Sequence, residues 1–277
     1  MGNVTESIGE RIKEQQQAWV LKRGIPLSTY RKGYVTKVED NLYEPLKPDA
    51  IAEFKSGEGN ELGGKMRALH SSSALVVNFF HYWRYHDMAI VGRALGLNYK
   101  YDNLRFERQY PKPRGIRGIK PHLDVELSGI SGKPIAIEAK FTEQYHGSAL
   151  KSNLKNVYIK AEEIWGNLNG CHTLARDIIE GKEVFEYFDA PQLLKHILGL
   201  KTEYGKKGFK LLYLWYRIDG IETIEHEKEL RRFVEAVGNE VDFEAITYQE
   251  LFQRVKAIAK GHQSYIGYMA DRYFSAM

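Results

Sequence analysis

Two alternating segments, Pro121-His-Leu-Asp124-Val-Glu-Leu127 and Lys133-Pro-Ile-Ala-Ile-Glu138-Ala-Lys140-Phe141, flank the turn-forming run Ser128-Gly-Ile-Ser-Gly132. In the first, Leu123, Val125 and Leu127 alternate with His122, Asp124 and Glu126; in the second, Ile135, Ile137, Ala139 and Phe141 alternate with Ala136, Glu138 and Lys140. A period of two is the signature of strands, and two glycines and two serines between them predict a hairpin. Glu138 and Lys140 project from one strand face while Ile137 and Ala139 take the other. Asp124 comes close to opposite Glu138 across the turn, although a shared face requires a particular turn parity or a bulge.

Working outward, Leu104 to Tyr110 reads as a preceding strand, Lys210 to Arg217 as a fourth too apolar to face water on either side, and Val241 to Ile246 as a short fifth. Helical spacing predicts helices at 5–23, stopped by Gly24 and Pro26, and at 68–95 on the face Leu69, Val76, Phe79, Phe80 and Trp83. Further helices are expected at 148–168, 171–181, 190–203 with Asp189 as cap and Pro191 in the first turn, and 225–238. A last helix opens on the capping box Thr247 to Glu250. Residues 24–66 form a Gly- and Pro-punctuated connector with one short helix at Asp49 to Lys55. The expectation is an α/β fold, one mixed sheet flanked by helices, with residues 1–66 as an N-terminal helix and connector and 67–277 as the main domain.

The bulk numbers narrow the class. A 277-residue chain with 43% hydrophobic and 27% charged residues buries a sizeable core, so disorder is not the expectation. The longest apolar stretch, Leu75 to Phe80, is interrupted by Asn78 and falls far short of the roughly 20 residues that cross a bilayer. The first residues lack the apolar core of a secretory signal, and cytoplasmic residence is expected. The lone Cys171 excludes an internal disulfide and a thiolate zinc site, and reads as a small core residue. None of the histidines shows zinc-hydrolase spacing, and the pair His81 and His86 reads as structural. A net charge of +4 suits a phosphate-bearing partner without requiring one.

Chemistry points to the hairpin. Phosphodiester hydrolysis calls for a hard cation held by carboxylates, and two acidic residues on neighbouring strands supply it, with a lysine alongside to orient water or offset developing charge. The triplet Glu-x-Lys occurs three times, beginning at Glu53, Glu138 and Glu180, so the triplet alone decides nothing. The first follows Pro48-Asp49 too closely for two strands and fits a helix face, and the third ends a helix at a glycine. Only Glu138 and Lys140 sit in an apolar strand whose hairpin partner carries an aspartate. The alternative, a solvated edge hairpin, conflicts with Ile135-Ala136-Ile137, which is apolar on both faces.

Leu123-Asp124 followed by Ile135-Ala136-Ile137-Glu138-Ala139-Lys140 resembles the PD-(D/E)xK nuclease superfamily, the restriction-endonuclease-like fold. The resemblance extends to the order of elements from about Ala68 to Ile246, a helix, a three-strand meander bearing the motif, a helix and further strands. It implies a nuclease dependent on Mg²⁺ or Mn²⁺ and acting on DNA in restriction or DNA processing, with RNA left open as substrate. It also implies Asp124 and Glu138 as metal ligands and Lys140 as catalytic base or charge stabiliser. Position 123 holds leucine where the eponymous proline stands, a common replacement in the superfamily.

Around this trio, Glu107 on the preceding strand is the candidate third metal ligand, with a plain surface charge as the alternative. Many branches of the superfamily place a glutamate on the helix before the meander; that helix has none here, and Glu61 lies just ahead of it. Glu143 is placed at the surface. Gln192 resembles the glutamine that some branches use to position the lysine or a phosphate. Lys112, Arg114, Arg117 and Lys120 crowd a Pro- and Gly-rich loop that could grip a DNA backbone, or simply be solvated. Dimerisation is compatible with cutting two strands, and no sequence feature demands it. The rival readings are a catalytically inactive nucleic-acid-binding protein of the same fold and an unrelated α/β protein carrying the motif by coincidence.

Overall fold

A computed structural model describes residues 7–57, 60–97, 100–118, 120–146 and 154–274. Five strands, β1 (Asn103–Gln109), β2 (His122–Ser128), β3 (Ile135–Lys140), β4 (Lys210–Trp215) and β5 (Phe243–Thr247), form one sheet in sequence order. β1, β2 and β3 run as an antiparallel meander, and β4 and β5 join in parallel with β3. Parallel strands need helical crossovers, which the residues after β3 and β4 supply. The expected mixed α/β sheet is therefore the observed one, and the motif strand β3 lies at its centre rather than at an edge.

The helices are α1 (Ile8–Lys22), α2 (Pro48–Ser56), α3 (Ser72–Tyr85), α4 (Met88–Ala94), α5 (Val157–Lys160), α6 (Asn169–Ile179), α7 (Ala190–Tyr204), α8 (Ile221–Val237), α9 (Tyr248–Ile258) and α10 (Gln263–Met269), the last followed by a π turn. They cover both faces of the sheet. Val125, Ile137, Leu212 and Ile246 pack under α3, α9 and α10 through Phe79, Phe80, Leu251 and Tyr265; Ile8 and Ile12 of α1 and Ala50 and Phe54 of α2 belong to the same core. Ala136, Leu211 and Tyr213 meet α6, α7 and α8 through Leu174, Leu194, Ile197 and Phe233. Among the described residues no helix is long and apolar enough to cross a membrane.

Local chemistry explains the boundaries. Asp189 caps α7 by accepting from the Gln192 N–H, with proline in the first turn, and Thr247 and Glu250 form the expected capping box of α9. The helix expected at 68–95 is instead two: α3 starts behind the Ser71 cap, and Asp87 caps α4 through Ala89, so a polar residue able to hold a free N–H divides the apolar run. Over the described part of the helix expected at 148–168, residues 154–168, the chain forms α5 and a 3₁₀ turn at Glu162–Ile164 instead of one continuous helix; residues 148–153 lie outside the described residues. There Trp165 turns its indole N–H onto the Tyr158 carbonyl and Lys201 donates to the Ile164 carbonyl, tertiary bonds that replace helical ones. Cys171 is buried in the core, as its isolation suggested.

One irregularity positions the site. The β1–β2 ladder pairs Phe106 with Val125 and Arg108 with Leu123 but skips Glu107 and Asp124 between them. Glu107 adopts φ +50°, a left-handed conformation rare outside glycine. Across this break the alternation resets, since Phe106 and Val125 belong to one core while Tyr110 and Leu123 belong to the other. The two acidic residues are thus set where the strands part, a break of the kind that re-aims side chains.

Candidate active site

The β2–β3 register, Val125 against Ile137 and Leu127 against Ile135, sets Asp124 beside Glu138 at the end of the hairpin ladder. Asp124 Oδ2 accepts from the Ala139 N–H at 2.7 Å. Glu138 and Lys140 share a face, and the Lys140 ammonium donates to Glu138 Oε1 at 2.6 Å and to Gln192 Oε1 at 2.8 Å. Glu138 is only 3% exposed, which eliminates the solvated-hairpin alternative. Its second oxygen lies 3.2 Å from His196 Nε2, on the turn of α7 that follows Gln192.

These groups open into a cleft of about 380 Å³ whose lining includes Glu61, Glu107, Asp124, Glu138, Lys140, Glu143 and Gln192. Glu107 is therefore a cleft group rather than a plain surface charge. Glu143, expected at the surface, instead turns inward to accept the Phe141 and Thr142 N–H groups at 2.8 and 3.0 Å, because the chain leaving β3 presents two free amides that need an acceptor. Glu61 is held there by the Ser73 hydroxyl at 2.6 Å and Lys65 at 2.9 Å. The basic loop behaves differently. Arg114, Arg117 and Lys120 are exposed and outside the cleft lining, and Lys112 folds back onto the Gly118 carbonyl.

Charge crowding sets the electrostatics. Burial, then Glu61 and Glu138, pushes the Glu107 carboxyl up to about 7. Burial, then Glu138 and Glu107, raises Asp124 well above the usual aspartate range against the pull of Lys140. Burial alone would raise Glu138 too, but Lys140 and His196 hold it down to about 2. Lys140, which burial would neutralise, is kept charged by Glu138, Glu143 and Asp124 and titrates above the usual lysine range. His70 and His146, which also line the cleft, are lowered mainly by burial.

Among the described residues no three His, Cys, Asp or Glu side chains converge as a ready cation cage, Glu138 being turned to Lys140 and His196. The donor set nevertheless suits a hard divalent ion. Oxygen ligands dominate the cleft, and the carboxylates of Glu61, Glu107, Asp124 and Glu138 outnumber the ammonium groups of Lys65 and Lys140. The raised Glu107 and Asp124 express that surplus negative charge.

An antiparallel meander feeding two parallel strands, helices on both faces and an Asp, Glu, Lys trio at the mouth define a restriction-endonuclease-like α/β protein. The chain belongs to the family described as Restriction Endonuclease associating with ARP, which matches residues 10–274, and membership implies a nuclease, a hydrolase of phosphodiester bonds. No curated protein and no solved structure matches it.

Sequence pattern alone does not single out His196, Ser73 or Lys65, and gives Glu61 no role. His196 stands four residues after Gln192 on a helix, and that spacing is the available signal for a second contact on the same face. Glu61 and Lys65 reach the cleft through the fold of the connector, for which no periodicity exists, and meet Ser73 in the first turn of α3.

Proposed function

We propose that the protein is a divalent-metal-dependent endonuclease that hydrolyses DNA phosphodiesters in this cleft. The observation that supports it best is the half-buried Lys140 ammonium, clamped between Glu138 and Gln192 beside Asp124, in a chain that belongs to a restriction endonuclease family. Asp124 and Glu138, with Glu107, are the groups that would hold Mg²⁺ or Mn²⁺, which when bound orients a water and offsets charge on the phosphate. Lys140 acts as charge stabiliser rather than base, because its surroundings favour the ammonium form. A cation already fixed in the cleft stabilises negative charge developing on a non-bridging oxygen with little reorganisation. The Gln192 carbonyl oxygen fixes where that ammonium points, and the Asp189 cap fixes the start of the helix bearing Gln192. Arg114, Arg117 and Lys120 lie on the β1–β2 loop, whose base is closed by the Tyr110 N–H on Pro121, and they grip the DNA backbone outside the cleft.

Plasmid, linear DNA and RNA are incubated with wild type and Lys140→Ala, with and without Mg²⁺. The reading expects Mg²⁺-dependent nicking or linearisation of plasmid by wild type and at least a hundredfold less by the variant, the order lost with one charge-stabilising group. Equal cleavage by the two proteins defeats it, and cleavage confined to RNA removes DNA as the substrate.

A further inference from the structure

One turn of α7 addresses both members of the Glu138–Lys140 pair. Gln192 accepts from Lys140, and His196, four residues later and so on the same helix face, approaches the free oxygen of Glu138 at 3.2 Å. His196 is 4% exposed, and neither ring nitrogen has a well-directed hydrogen bond: Nε2 meets Glu138 Oε2 off the N–H line, and Nδ1 has no partner. An apolar residue would fill this part of the core without the desolvation cost that an orphaned buried polar atom brings. The imidazole therefore calls for a reason beyond packing, and Glu138 is its one close ion-pair partner among the described residues.

We infer that His196 is a positioning residue that holds the Glu138 carboxylate through the close approach of its Nε2 edge to Oε2, so that Gln192 and His196 form one bracket for the Glu138–Lys140 pair. This rests on the proposed roles of Glu138 and Lys140. With the proton on Nε2, the orphan at Nδ1 is a lone pair, a cheaper buried state than an unpaired N–H. A carboxylate fixed in this way presents a set geometry to a cation, and outer partners of metal-binding carboxylates typically control affinity by 10- to 100-fold.

The full-length protein is titrated with Mn²⁺ alone, followed by electron paramagnetic resonance, and plasmid cleavage is measured over a range of DNA concentrations. His196→Phe keeps the ring and removes both nitrogens. His196→Gln carries an amide N–H to the Nε2 position, and His196→Asn carries it to the Nδ1 position. The expected result is Mn²⁺ affinity and kcat lowered roughly tenfold or more in the Phe and Asn variants at unchanged KM, with most of both recovered by Gln. Wild-type affinity and kcat in the Phe variant overturn the positioning role while leaving the nuclease reading intact, provided that Lys140→Ala stays inactive. Where Phe does not fold, Gln and Asn decide, and equal behaviour of those two overturns the proposal. A wild type that neither binds Mn²⁺ nor cleaves brings down the nuclease reading itself.

Discussion

Lys140→Met is expected to damage stability and activity together, and a second substitution should separate them. The ammonium sits 2.6 Å from Glu138 Oε1, with side-chain exposures of 14% and 5%. At an effective dielectric near 20, opposite charges about 3 Å apart attract by roughly 5–6 kcal/mol, from which the cost of burying the ammonium must be subtracted. Removing one member of a buried pair typically costs about 3–5 kcal/mol. Against the upward push of burial, Lys140 and His196 together hold Glu138 below the usual carboxylate range, the same direction as the attraction. Glu138→Gln should be comparably damaging, because it strands Lys140. The double variant Glu138→Gln/Lys140→Met leaves two uncharged side chains of similar size and should be more stable than either single one, with a coupling of about 3 kcal/mol in urea titrations of unchanged slope. All three should have lost plasmid cleavage. Additive losses in the cycle, or a Lys140→Met protein as stable as wild type, would show that the pair is not coupled as its geometry demands.

Two further outcomes follow from other parts of the molecule. Replacing Arg114, Arg117 and Lys120 by alanine should weaken DNA binding and reduce the slope of log affinity against log salt by roughly 2–3, about 0.9 for each phosphate no longer neutralised; an unchanged slope removes the loop from the interface. Acid should destabilise the protein through buried neutral imidazoles. Burial lowers His81 to about 4 and His226 to about 3, from 6.5, so between these values the unfolded chain binds more protons and stability falls as pH falls. The loss is absent above about 6.5 and reaches about 3 kcal/mol for each group near pH 4. His226→Gln should flatten part of that dependence in denaturation series at pH 7, 5.5 and 4.5, and an unaltered slope refutes the assignment.

How much of the molecule is legible in its sequence depends on whether a residue's role is written in local pattern. Glu138 and Lys140 stand out because two charges interrupt an apolar strand on one face, and their hairpin partner has to carry Asp124 near the same level. The α7 cap and Pro191, the apolar β4 and the Thr247 capping box are likewise local, and each element lies where expected. Asp87 is equally local, but a continuous apolar face hides the helix start it creates. Glu143 defies the surface expectation because sequence shows that it is charged and not that two unpaired amides await it. Glu61 owes its position to Ser73 and Lys65, contacts that exist only once the connector has folded over α3.

The break between β1 and β2 ties these observations together. A regular ladder would pair Glu107 with Asp124 and continue the alternation, keeping Leu123 in the core that holds Val125. Skipping that pair lets Leu123 join the opposite core, and the strands stay attached on either side through Phe106 with Val125 and Arg108 with Leu123. The positive φ of Glu107 carries a conformational cost of order 1–3 kcal/mol, and charge crowding adds to it, since Glu107 and Asp124 are both pushed toward protonation. A fold selected for stability alone would neutralise this corner with an ordinary pair of apolar or oppositely charged residues. Under the proposed function, keeping two crowded carboxylates, Glu107 and Asp124, beside Glu138, with Lys140 already committed to Glu138, makes sense where a cation supplies the missing charge. On that proposed reading, the ion is held at the strand break itself, and not merely at a generally acidic surface.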